Sequence, residues 1–577
     1  MGKIYEKNLN FLSINFPLLV KRIIPSERIK DITYCTKPHQ NILYRGKPFH
    51  SIADPDREAK NLLKDIKIKK GNMIIFFGIG TGRHIEGFSR RFGLEARDAT
   101  FIVVEHSLEA FSLILHHRDI SFLKGMQLFV GEDLTTIQRF IESLDPLSFS
   151  GYRIIELRGN VDVFKSYYKE IAGYFKNVMT GKLSDLLTRF AFENLWIKNI
   201  IDNVGLLAGR RSIRALQKTL SGRPVMVISA GPSLFQQLET IKVLEPWIYF
   251  IVVDTALEPL LRYGIHPDFV ITLDAGFFNF YDFNYIFSDK KGYTDCLLIA
   301  DMVVYPLILK NWGGEIFFSE TASTALREGS ALIERHPLQN EFSIFYPFLD
   351  YLKCGGSVST TALEFAFYAG ASPVFITGLD LAYSGFTTHV NSSPHYNEYY
   401  KNADRLKTLT TLMLKEISKR KLLKVKGVRK DVVITDFVFD SYRRWFETRE
   451  NYRGKVFNLS DDGAIIKGIP HLSIKAVAKM ENSMQKKERI KPVEDFYLEK
   501  DVCLRFLYYL LEKVRLLKED VKNGVEPMRL SARYSFLKNS ILEAQALYRN
   551  DALLRSYLII LTGFFEKRII RAINSMK

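Results

Sequence analysis

Four short stretches collect residue types that act on a phosphorylated or hydroxylated ligand. In Ser229-Ala230-Gly231-Pro232-Ser233-Leu234, an apolar run delivers glycine and serine to the start of a helix. Free N–H groups and the positive end of the helix dipole favour an anion there, so Gly231, Pro232 and Ser233 are candidates for holding a phosphate. A tight β–α turn with Ser233 as N-cap is the competing reading. Asp254 ends the run Ile251-Val252-Val253 and Asp274 ends Val270-Ile271-Thr272-Leu273, which predicts both carboxylates on the same rim as that turn. Gly355-Gly356-Ser357-Val358-Ser359-Thr360-Thr361 offers the hydroxyls of Ser357, Thr360 and Thr361 at a second helix start, where capping competes with ligand binding. Finally, Val374 to Thr377 runs into Gly378-Leu379-Asp380-Leu381-Ala382-Tyr383, with Thr387, Thr388 and His389 close behind. A loop histidine beside an aspartate and hydroxyls suits proton transfer better than packing; His395 is its rival.

The elements needed to position these groups are legible as periodicity. Apolar strands are predicted at Val225 to Ser229, Ile248 to Val253, Phe269 to Leu273, Cys296 to Ala300 and Val374 to Thr377, with helices or loops between them. Such alternation implies a largely parallel sheet covered on both faces, with ligands at the carboxyl ends of its strands. A smaller strand–turn–helix–strand unit precedes it: Met73 to Phe77, the turn Gly78-Ile79-Gly80-Thr81-Gly82, and Phe101 to Glu105. Residues 161 to 220 read as a helical connector, and 502 to 577 as amphipathic helices with basic outer faces. The expected organisation is α/β in three parts: a Rossmann-like domain with connector over 1–205, a central Rossmann-type catalytic domain over 206–475, and a helical domain over 476–577.

At 577 residues the chain exceeds one hydrophobic core, and 47% hydrophobic with 25% charged residues indicates a folded protein. A net charge of +17 attracts anionic partners. It is scattered, and its densest cluster, Lys419 to Lys430, has no aromatic residue for base stacking; the reading is solvated surface, with no nucleic-acid partner. The cysteines, Cys35, Cys296, Cys354 and Cys503, form neither a CxxC pair nor a disulfide framework, and no run of eighteen apolar residues occurs. A cytoplasmic protein without a membrane span is expected. No HxH, HExxH or Cys/His cluster marks a metal site.

The central motifs resemble those of the bacterial motility-associated factors (Maf), flagellin glycosyltransferases also described as 6-hydroxymethylpterin diphosphokinase-like. The resemblance rests on the 229–234 turn, Asp254 to Asp274 with His266-Pro267-Asp268, the 378–383 run with Thr388-His389, and Asn458 to Gly468. It extends to His50-Ser51, Asp54-Pro55 and Glu58-Ala59, and to Trp196, Asn199 and Asn203. The same motifs are similar to those of bacterial sialyltransferases, except that Ala230 stands where those usually have Asn.

The resemblance implies transfer of a nonulosonic acid of pseudaminic or legionaminic type from a CMP-activated donor to Ser or Thr hydroxyls of flagellin, in support of flagellar assembly and motility. It implies no tightly bound cofactor. His389 would be the base, with Asp380 supporting its loop. Gly231, Pro232, Ser233, Ser357, Thr360, Thr361 and Gly378 would surround the nucleotide, and Asp254 and Asp274 would hold donor hydroxyls or the ribose.

Two other functions compete. The Gly78, Gly80, Gly82 turn, with Arg83 where a dinucleotide fingerprint has its third glycine, is closer to the turn of S-adenosylmethionine-dependent methyltransferases, with Glu105 placed to hold a ribose. A purely structural role for that turn is favoured over a second active site. A non-enzymatic flagellin-binding chaperone, using the basic carboxyl-terminal helices, is the other.

Overall fold

The computed structural model describes residues 2–67, 72–92, 99–144, 151–288, 295–327, 330–449, 452–548 and 551–577. The chain forms two compact units: Met1–Leu186 with Ala325–Leu332, and Leu187–Thr324 with Ile333–Lys577. The helix Lys165–Leu207 carries the chain from the first into the second.

In the first unit a four-stranded parallel sheet runs in the order 127–130, 100–105, 72–77, 151–156. Its side chains alternate between two cores, as a period of two requires. Ile74, Phe76 and Val103 pack with Ile85 and Phe88 on one face, whereas Ile75, Phe77, Ile102 and Val104 pack with Ile137, Ile141 and Phe175 on the other. Being covered twice, these strands read as unbroken apolar runs.

The second unit is built on a larger sheet that runs from the strand opening at Ile316 through 297–301, 269–272, 249–253, 225–228, 374–377 and 456–458, all parallel. The chain steps outward from Val225–Ile228 through the strands to its one side, then returns to place Val374–Thr377 on the other. The topological switch therefore falls between these two strands, the position at which open parallel sheets bind their ligands. Ile228 faces Thr377 in register, so the stretches beginning at Ser229 and Gly378 emerge side by side.

One face of this sheet is covered by the helix Val358–Tyr368, through Ala362, Leu363, Phe365 and Ala366. The other is covered by Ile197, Ile200, Ile201 and Val204 together with the helices Lys500–Lys522 and Asp551–Met576. Residues after 475 thus bury Phe506, Leu510 and Phe565 in the same core as Val270, Leu298 and Phe318 of the sheet. Asn199 and Asn203 fasten the connecting helix beneath the rim: their side-chain amides donate to Ala275, Met302, Val303 and Val304 carbonyls at 2.7–3.0 Å. Among the described residues no helix is long and apolar enough to cross a membrane.

Candidate active site

The two loops at the switch meet through backbone contacts too close for side chains. Gly231 N–H donates to Gly378 O at 2.7 Å, and a Cβ on Gly231 would sit 2.4 Å from that oxygen. Gly378 has φ +65°, and a Cβ there would sit 2.1 Å from Ser229 O. Glycine is required at both positions by space, and at the second by conformation as well.

Asp380 occupies the anion position that the sequence offers to a phosphate. Its Oδ2 accepts the Ser233 N–H at 2.9 Å, and its Oδ1 accepts the Ser233 hydroxyl. Ser233 is therefore engaged within the chain. The turn continues as a 3-10 helix over Pro232–Gln237. Burial pushes the Asp380 carboxyl up to about 6, with Asp462 and Asp461 adding to the rise against the two Ser233 hydrogen bonds. Gly463 backs it, with space for no Cβ: one would lie 2.5 Å from Asp380 O. Leu379 N–H donates to Ser460 Oγ at 2.9 Å and Ala464 N–H to Asp380 O at 2.8 Å, so residues from Asn458 onward clamp this loop.

The segment of His389 runs beside the 229–234 turn, with Val390 N–H donating to Ala230 O at 2.8 Å. His389 Nδ1 shares a 2.9 Å hydrogen bond with Thr388 Oγ1, and its ring stacks on His395 at 4.7 Å between centroids and 18° between planes. Burial, then His395, then Arg420, lower its pKa to about 3, so the imidazole is neutral at physiological pH. Burial lowers His395 too, opposed by the nearby Asp274. The hydrogen bonds of Asp380 go to Ser233, and that of His389 goes to Thr388; Asp380 positions the turn and does not orient the ring.

The acidic rim sits on the adjoining strands. Asp254, buried at the start of the helix Asp254–Arg262, accepts from Thr255 N at 2.9 Å and Thr272 Oγ1 at 3.0 Å. Asn279 Nδ2 donates to Thr272 Oγ1 at 2.7 Å and extends the network. Asp282, which the sequence reading passes over, lies close enough to Asp254 and Asp274 that burial and these like charges raise its pKa strongly; Asp254 is raised by burial and by Asp274. Buried carboxyls crowded in this way share protons, so the pair favours the protonated form more than isolated carboxylates do. Asp274 is exposed, with Oδ1 accepting Gly276 N at 2.8 Å.

Of the second hydroxyl group, Ser357 caps its helix by accepting Ser359 N at 3.3 Å, and Thr360 Oγ1 accepts Gly355 N at 2.8 Å while donating to Ser357 O. Thr361 Oγ1 is fully buried and without a hydrogen-bond partner. Ser359, not singled out from sequence, joins the two helix starts through a 2.8 Å bond with Ser229 Oγ. Gln237 does the same across the switch, bonding Thr377 Oγ1 and Leu459 O. Neither carries a local signal; both are recognisable only across the sheet.

The glycine turn of the first unit is filled by the chain itself. Glu105 accepts from Ile79 N and Asn160 Nδ2, each at 2.8 Å, and from Ser107 N at 3.0 Å. His50 Nε2 accepts the Thr81 N–H at 2.8 Å, which leaves its Nδ1–H to donate to Glu58 at 3.1 Å. A Cβ on Gly80, at φ +51°, would lie 2.5 Å from His50 and Leu157. The buried acid holds the turn's own amides where a bound cofactor's ribose was expected.

Residues 198–386 match the model of the family described as 6-hydroxymethylpterin diphosphokinase MptE-like. Uncharacterised proteins of Treponema pallidum (strain Nichols) align at 24% identity over 242 residues, 38% of this chain and 59% of theirs, and at 22% over 315 residues, 53% of this chain and 52% of theirs. The match thus spans just over half the length of these relatives. Among solved structures, the Maf glycosyltransferase from Magnetospirillum magneticum AMB-1 has a similar fold, with a TM-score of 0.57 at 14% identity, over 100% of this chain and 95% of that one. The Maf and MptE-like resemblance drawn from the motifs is borne out by the central segment and by the fold.

Proposed function

We propose that this chain, MptE-like in its central domain and Maf-like in fold, is a glycosyltransferase that moves a nonulosonic acid from a CMP-activated donor to Ser or Thr hydroxyls of flagellin. The observation that carries the reading is the stacked pair His389 and His395 beside the 229–234 turn, with Val390 N–H donating to Ala230 O at 2.8 Å and Asp274 near His395. Departure of the sugar from its phosphate creates an oxocarbenium-like centre, and an acceptor hydroxyl must lose its proton as it attacks. A neutral imidazole accepts that proton. The negative charge left on the departing CMP would raise its basicity from the low value that burial imposes.

The phosphate would lie against the helix start that carries Ser357, Thr360 and Thr361, whose hydroxyls supply donors as charge develops, and beside Gly231 and Pro232, which offer no free donor because Gly231 N–H is bonded to Gly378 O and proline has none. Thr361, with an unpartnered buried hydroxyl, is the strongest of these candidates. Asp254 and Asp274 would hold donor or ribose hydroxyls, Asp254 as a donor in its protonated form. Asp380 keeps the turn in register. The fold neighbour's described activity, the motifs and their place at the switch point of the parallel sheet support this reading; the self-filled Gly80 turn argues against a methyltransferase.

Isothermal titration with CMP, UDP and S-adenosylmethionine tests it, paired with hydrolysis of a CMP-activated nonulosonic acid. CMP should bind in preference to the others, and His389→Ala should lose turnover by about a hundredfold or more while still binding CMP. Preference for S-adenosylmethionine, or full turnover in His389→Ala, would overturn the assignment.

A further inference from the structure

About half of the chain's net charge of +17 is concentrated in residues 401–430, which hold eleven Lys and Arg against two acidic residues, Asp404 and Glu416. All eleven are exposed. Among the described residues only three of them form ion pairs: Lys419 with Glu416 at 2.5 Å, Arg420 with Asp436 at 2.9 Å and Arg429 with Asp461 at 2.6 Å. The remaining eight face solvent, and like charges at this density repel one another unless an anionic partner covers them.

This face is fastened to the candidate active site. The hairpin of Leu422–Val425 and Val433–Asp436 is bonded to the Asp380 loop through Tyr383 N–H to Ile434 O at 2.8 Å and Thr435 Oγ1 to Leu381 O at 2.7 Å. It is bonded to the clamp behind that loop through Ile465 N–H to Lys426 O at 2.9 Å and Val428 N–H to Gly463 O at 3.0 Å. Asp436, which pairs with Arg420, also accepts the Tyr383 hydroxyl at 2.5 Å, and Arg420 is among the charges depressing His389. A macromolecule lying on the hairpin would reach the 378–383 loop that carries Asp380.

We propose that residues 401–430 form the docking surface for the acceptor, and that the acceptor presents an acidic polypeptide segment beside its modified hydroxyl. The inference rests on the glycosyltransferase reading. A polypeptide fits better than nucleic acid because the segment has no aromatic ring on which bases stack. It fits better than a lipid surface because the exposed apolar residues, Leu406 at 90%, Leu422 at 43% and Leu414 at 40%, are spread over a loop, a strand and a helix and form no single insertion stripe. Interspersed cations and isolated leucines suit a partner that alternates carboxylates with apolar side chains.

The test uses the full chain and a labelled Glu-Leu-Ser repeat peptide, with its Gln-for-Glu counterpart, oligothymidylate and phosphatidylserine vesicles as competitors. The Glu peptide should bind in preference to the Gln peptide, with an affinity that falls as salt rises. The triple variant Lys421→Glu, Lys424→Glu, Lys426→Glu should weaken it by about tenfold or more through charge reversal. CMP titration of the same variant should match the wild type, which shows that the fold and nucleotide site are intact. Equal binding of the Gln peptide, an unchanged affinity in the triple variant, or preference for oligothymidylate or vesicles would each overturn the proposal. Absence of CMP binding in the wild type would instead count against the transferase reading, independently of the peptide result.

Discussion

At the scale of single residues, the deciding fact is that Asp380 is an internal anion. Its carboxyl is raised to about 6 in the folded chain, against about 4 in an unfolded one. The folded state then binds the proton more tightly, so the stabilising contribution is full below the unfolded value and is lost as pH rises through 6. The loss amounts to about 3 kcal/mol at most. Thermal midpoints of the wild type should therefore fall relative to Asp380→Asn between pH 4.5 and 7, a difference that isolates this group from Asp254 and Asp282; parallel curves would refute the assignment. His389 titrates the other way. Burial keeps it neutral far below the usual imidazole range, so its ring resonances in an NMR titration should stay unshifted from pH 7.5 down to about 5, where an ordinary histidine has become charged.

At the scale of elements, two glycine turns that look alike in sequence do different work. The 229–234 turn meets the 378–383 loop across a topological switch and is bonded to it. The 78–82 turn is packed shut by His50, Asn160 and Leu157. Gly231→Ala should cost roughly 1–3 kcal/mol by overpacking and abolish CMP binding, because its Cβ meets a backbone carbonyl that has nowhere to move. Gly80→Ala should cost a comparable amount in urea denaturation and leave CMP affinity unchanged. If Gly80→Ala lost nucleotide binding as well, the turn would have a ligand role after all.

At the scale of the whole molecule, the carboxyl-terminal helices are part of a shared core. Phe506, Leu507, Leu510, Val514 and Phe565 are buried against the sheet face formed by Val270, Leu298 and Phe318, each side chain contributing about 1.5–3 kcal/mol on burial. A chain ending at residue 475 should therefore express as aggregate, or lose its cooperative melting transition. A well-folded monomer of 1–475 with full CMP affinity would restore the helical segment to an independent domain.

The sequence by itself determined the apolar strands, because those buried on both faces must be unbroken runs of Val, Ile and Phe, and it located both glycine turns and the Asp254, Asp274 and His389 stretches that end on the larger sheet. Chain order could not show which strands are neighbours. Only the tertiary structure brought Val374–Thr377 beside Val225–Ile228, and with that pairing decided that Asp380 reaches Ser233, that Ser359 reaches Ser229 and that Gln237 spans the switch. It likewise decided that the exposed basic run after Lys419 lies on a hairpin bonded to the Asp380 loop. The physical reason is common to all of these. Strand periodicity is a local property of the chain, whereas register across a parallel sheet joins residues more than a hundred positions apart.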